Sequence, residues 1–147
     1  ELSGGGEKKM SVLKNDRGEA EPEFLHTARE LHKYSIQKCV SFPKRYTFYV
    51  SQPIAQAASR IHEYVKMANS VYPTNPHEVQ IRIDYFIRAN SELHGMVSLI
   101  EVAKELFGIE PNVMELWMGL VDKEIRLVKG ALKSDRARYK KLFEPEK

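Results

Sequence analysis

Apolar residues recur along this chain at intervals of three and four, and prolines interrupt the recurrence at a few places. Leu25, Ala28, Leu31, Ser35, Cys39 and Phe42 mark one face of a first helix. Pro22 suits its first turn, and Pro43 stops it, because the residue before a proline is pushed out of the helical region. A second face comprises Ile54, Ala57, Ala58, Ile61, Val65, Ala68 and Tyr72, with Ser51 placed to cap it and Pro73 to end it. The third helix opens in "TNPHE", where Asn75 can cap, Pro76 takes the first turn and Glu78 can reach back. Val79, Ile83, Phe86, Asn90, Leu93, Val97, Ile100 and Phe107 carry its face to Gly108, a natural stop. The spacing predicts helices near 22–42, 52–72, 76–107 and 112–142.

The fourth helix follows "GIEPN", with Asn112 and Glu115 at capping-box spacing, and it carries two adjacent apolar rows. One is Val113, Trp117, Val121, Ile125, Val128 and Leu132; the other is Leu116, Leu120 and Leu127. A stripe that wide exceeds what one bundle core takes from one helix, so Leu116, Leu120 and Leu127 are expected at an oligomer interface. Between the first two helices lies "SFPKRYTFYV", with four aromatics and two adjacent cations. A lone strand there would have no partner, so it reads as a connector whose Phe42, Tyr46, Phe48 and Tyr49 close one end of the core. Short connections among four helices predict an all-α fold, an antiparallel up-down-up-down four-helix bundle over residues 21–143. Residues 1–20 are expected to be a disordered tail or cloning remnant, and 144–147 a C-terminal tail.

Composition adds limits. The chain has 147 residues, 42% apolar and 29% charged, which suits one domain. No apolar run approaches the ~18 residues of a membrane span, and "ELSGGGEKKM" has no hydrophobic h-region of a signal peptide. Cys39 is the single cysteine, so no internal disulfide can form, and a reducing, cytoplasmic setting is expected.

Charge is +3, from 23 Lys and Arg against 20 Asp and Glu, and its distribution says more than its sum. From Lys123 to Lys147 nine cations face four carboxylates, a local +5. Arg126, Lys129, Lys133, Arg136 and Lys140 share one helix face and span ~21 Å at ~1.5 Å per residue, enough to follow several phosphates. Lys44 and Arg45 form a second cationic group where a phosphate or an acidic protein surface could dock.

Catalytic chemistry is not legible. The five histidines include no i, i+4 pair, and Glu23 with His26 makes one Glu-x-x-His where a di-metal bundle needs two. Asn90 reads as a buried amide that fixes register, and "SGGGEK" lacks phosphate-loop spacing. No nucleophile–base pairing is present. The chain is expected not to be an enzyme and to use no cofactor or metal.

One pattern is familiar. A helix ends in "FPK" (Phe42, Pro43, Lys44), an aromatic connector follows, then "QPIAQAASRI", then "DYFIRANSELHGMVSLIEVAKELFG". From about Phe24 to Leu132 this resembles the four-helix-bundle proteins encoded in 23S ribosomal RNA intervening sequences. It resembles still more the accessory variability determinants of diversity-generating retroelements. It departs from the first in having "PIAQAAS" after Gln52, where a pair of arginines is typical, and from the strongly basic members of the second in its +3 charge. The resemblance implies a homopentameric ring that binds RNA or DNA and the cognate reverse transcriptase and supports mutagenic cDNA synthesis. Lys44, Arg45, Arg126, Lys129, Lys133, Arg136 and Lys140 are the candidate nucleic-acid or polymerase contacts. The alternative is a protein–protein interaction bundle of the ribosomal-insert type, without nucleic-acid binding.

Overall fold

A computed structural model describes residues 21–144. The expectations for residues 1–20 and 145–147 lie outside the described residues. Four α-helices, with no strand among the described residues, make up the fold: α1 (Glu23–Cys39), α2 (Gln52–Ser70), α3 (Pro76–Phe107) and α4 (Pro111–Arg138). The chain is all-α, as its apolar spacing predicts. None of the described helices is long and apolar enough to cross a membrane.

Each helix buries most of the face its sequence marks; Tyr72, expected on the second face, lies beyond the end of α2 and is 75% exposed, and on α3 Met96 is buried where Val97 was expected. Leu25, Ala28 and Leu31 of α1 meet Ile54, Ala57, Ala58, Ile61, Val65 and Ala68 of α2, Val79, Phe86, Leu93, Met96 and Ile100 of α3, and Trp117, Val121 and Val128 of α4 in one core. At about 25 cal/mol per Å² of apolar surface, this shared burial is the main term holding the helices together. Helix α1 packs on α2, α2 on α3, α3 on α4 and α4 back on α1.

The ends show where local chemistry decides. Asn75 caps α3 by accepting a hydrogen bond from the Glu78 amide at 2.9 Å. The Glu78 carboxylate reaches back one residue further than expected, accepting from the Thr74 amide at 2.8 Å and its hydroxyl at 3.0 Å. Gly108 ends α3 at φ 80°, a conformation that costs a residue with a side chain. Helix α4 starts at Pro111 with Glu110 before it, so Asn112 lies inside the helix and caps nothing.

Helix α1 stops at Cys39, three residues short of the expected Phe42, through a short turn ahead of Pro43. The connector is not extended. Lys44–Tyr46 form a 3₁₀ turn, and Thr47–Ser51 a π-helical turn that runs directly into α2. Ser51 is therefore helical (φ −64°, ψ −49°) and is no cap; its hydroxyl donates instead to the Cys39 carbonyl at 3.4 Å. That bond ties the start of α2 to the last turn of α1.

Candidate nucleic-acid and assembly surfaces

Aromatic stacking fixes one end of the bundle. Phe42 lies edge-on to Phe107 at 4.7 Å and near Trp117 at 6.1 Å, and Tyr46 lies 4.9 Å from Phe107. The α1–α2 connector, the last turn of α3 and the first turns of α4 therefore share this end. Trp117 is fully buried and donates from its indole nitrogen to the Ser35 hydroxyl at 2.9 Å. Two of the four connector aromatics close the core as expected, and two do not. Phe48 is 76% and Tyr49 83% exposed, because the π turn rotates both rings out of the register that Val50 and Ile54 hold.

The opposite end is fastened by charge. Arg82, nearly two turns into α3, donates to Asp135 of α4 at 2.6 Å and to the carbonyls of Ala68 and Val71, at the end of α2, at 3.0 and 3.1 Å. Both partners of the ion pair are buried. One guanidinium thus joins three helices and adds a partner to the carbonyls at the end of α2, of which Ala68 also accepts from the Val71 amide at 3.2 Å.

This end also carries the cationic face of α4. Arg126, Lys129, Lys133 and Arg136 are exposed, and none has an ion-pair partner among the described residues. Lys140 does not continue that face. Helix α4 ends at Arg138, and Lys140 lies in the 3₁₀ turn Lys140–Phe143, so four of the five expected cations share one helical stripe. The stripe spans about 15 Å at ~1.5 Å per residue. Lys44 and Arg45, both exposed, belong to the aromatic end, with Arg45 over the Tyr46 ring at 5.0 Å. The two cationic groups expected from the sequence are therefore at opposite ends.

Leu116, expected at an interface, is 54% exposed, while Leu120 and Leu127 are half-buried. Leu116 and Leu120 border a groove of about 420 Å³ against His26, Thr27 and Tyr34 of α1. Glu23 forms an ion pair with Lys123 at 2.9 Å, joining the first turn of α1 to α4.

Polar groups inside the core were the least visible in the sequence. Asn90, singled out there, is half-buried with its side-chain oxygen unpaired. Thr27 and Glu124 are buried, and the Thr27 hydroxyl and both Glu124 carboxyl oxygens also have no partner among the described residues. Burial pushes the Glu124 carboxyl up to about 9, against a smaller pull from Lys123. His32 and His62 meet Nδ1 to Nδ1 at 3.1 Å, so one ring donates and the other accepts. Burial, then the neighbouring His32 and Arg29, hold His62 below its ordinary value. Burial raises the Cys39 thiol to about 11, which leaves it unreactive near neutral pH.

Comparison with known protein families, curated proteins and solved structures finds no match in any of the three.

Proposed function

We propose that this chain is an antiparallel up-down-up-down bundle that self-associates and binds RNA or DNA without catalysis, as a partner of a reverse transcriptase. The contact order supports the topology. Glu23 meets Lys123 while Ser35 meets Trp117, and Arg60 meets Glu92 while Ala68 meets Arg82, so each pair of helices runs in opposite senses. The retroelement role rests on the resemblance of "FPK", "QPIAQAASRI" and the α3 segment to accessory variability determinants.

A single observation carries the nucleic-acid part: four exposed cations on one face of α4 with no carboxylate partner among the described residues. Cations on one face normally find carboxylates three or four residues away. Here Asp122, four residues before Arg126, is exposed but makes no ion pair with it, and Asp135 is turned inward and held by Arg82. Favourable interaction of cations with the helix dipole is confined to the last turn, and so covers Arg136 but not Arg126 or Lys129. A stripe of this kind suits phosphates.

The expected outcome is sequence-tolerant binding of RNA or DNA oligonucleotides that weakens steeply with salt. Changing Lys129→Glu, Lys133→Glu and Arg136→Glu together should flatten the plot of log affinity against log salt by about 0.7–0.9 for each lost phosphate contact. Fluorescence anisotropy between low and physiological salt reads this directly. Absence of binding by the wild-type oligomer at low salt would leave the protein-only bundle as the function.

A further inference from the structure

The aromatic end of the bundle has two unlike edges. Between Leu31 and His62 the sequence contains no carboxylate, and where α1 turns into α2 it carries Lys38, Lys44 and Arg45. The turn from α3 into α4 carries Glu101, Glu105, Glu110 and Glu115 against Lys104. Each edge has a formal charge of three units, with opposite signs. Among the described residues, Lys44 and Arg45 make no ion pair, and neither do these four glutamates.

Exposed apolar side chains gather at the same two edges. Ile36, Val40, Phe48 and Tyr49 are exposed at the basic edge, and Val102 and Leu106 at the acidic edge, while Leu116 lies in the groove between α4 and α1. Among the described residues the other large exposed apolar side chains are Tyr72, Ile87 and Phe143. Soluble monomers rarely leave apolar side chains gathered in this way. Nucleic acid fits this end poorly, because the four glutamates would repel phosphates.

We propose that the basic, aromatic edge of one copy docks on the acidic, aliphatic edge of a second copy. Phe48, Tyr49 and Val40 would cover Val102 and Leu106, while Lys44 and Arg45 meet carboxylates such as Glu105 and Glu110. The two edges adjoin at this end, where Lys38 and Phe42 line the same cleft as Phe107 and Glu110, and each copy presents both. Such head-to-tail contacts are heterologous and close into rings when the rotation allows. The inference deepens the self-association part of the proposed function and is independent of the nucleic-acid part.

Charge reversal tests it. Lys44→Glu with Arg45→Glu gives a chain whose two edges are both acidic; Glu105→Lys with Glu110→Lys gives one whose edges are both basic. Each alone should self-associate at least about tenfold more weakly, since like charges facing each other oppose contact. Mixed one to one, they should assemble again, as should one chain carrying all four changes. Light scattering across micromolar concentrations reads the mass, and circular dichroism checks that each variant keeps its helices. Phe48→Ala with Tyr49→Ala, at exposed positions, should weaken assembly without altering net charge. A monomeric wild type would overturn both this contact and the self-association reading. A wild-type oligomer that survives the edge changes but dissociates with Leu120→Glu would overturn this contact alone. So would reversed chains that stay monomeric on mixing.

Discussion

Glu124 occupies a position where apolar side chains flank it at helical spacing, three residues after Val121 and four before Val128. It is fully buried and keeps its proton in the folded state up to about pH 9, whereas the unfolded chain releases it near the ordinary 4.5. Between those values the unfolded chain binds fewer protons, so stability falls as pH rises, by at most about 1.4 kcal/mol per pH unit. Glu124→Gln should remove that slope and raise the melting temperature most at pH 8. His62 works from the other side. Its folded value lies below the unfolded 6.5, so the unfolded chain takes a proton first and stability falls as pH drops below about 6.5. Thermal melts from pH 5 to 9 should show the alkaline fall flattening below about pH 6.5 in the wild type, and an unopposed rise toward acid for His62→Gln. An alkaline limb unchanged in Glu124→Gln would mean that Glu124 is charged in the fold.

At the scale of the helices, the sequence speaks clearly about bodies and poorly about ends and polar interiors. The four buried faces follow the three-and-four spacing because burial of apolar surface dominates there. The ends depend on contacts the spacing does not encode. Ser51 has the chemistry of a cap, yet the π turn before it keeps the backbone helical. Phe48 and Tyr49 have the chemistry of core residues, yet the same turn leaves them outside. Arg82 and Asp135 were legible in one respect: Arg82 lies three after Val79 and four before Phe86, and Asp135 three after Leu132. Both hold core positions, but long charged residues at such positions usually reach for solvent, and nothing in the sequence pairs them. Arg82→Ala should cost about 3–5 kcal/mol, because Asp135 would stay buried without its partner. Arg82→Met with Asp135→Leu should recover most of the loss, and urea denaturation distinguishes the two.

Across the whole molecule the two ends differ: exposed apolar groups with charges of both signs at one, cations without ion pairs among the described residues at the other. The α4 stripe is short, with four cations over ~15 Å, so one copy reaches few phosphates. In the proposed assembly the repeated stripes would act through effective concentration, which can raise affinity by about 10²–10⁴ without a new contact. The Glu105→Lys, Glu110→Lys chain is the useful probe. Although more basic than the wild type, it should bind a long oligonucleotide more weakly once monomeric, and a short one no worse. Anisotropy with oligonucleotides of two lengths checks this, and equal losses at both lengths would argue against avidity.

The Arg82 junction has a consequence for time as well as for stability. Arg82 and Asp135 are 53 residues apart, and Arg82 also needs the finished end of α2 to meet its remaining donors. A contact that requires three helices already docked forms late, after the rate-limiting barrier for folding. Its loss therefore falls on the way out of the native state. Arg82→Ala should refold at nearly the wild-type rate and unfold about 10²–10⁴-fold faster, with a φ-value near zero in stopped-flow kinetics. The junction works as a latch: it hardly hastens the assembly of the bundle, and it sets how long the bundle stays shut.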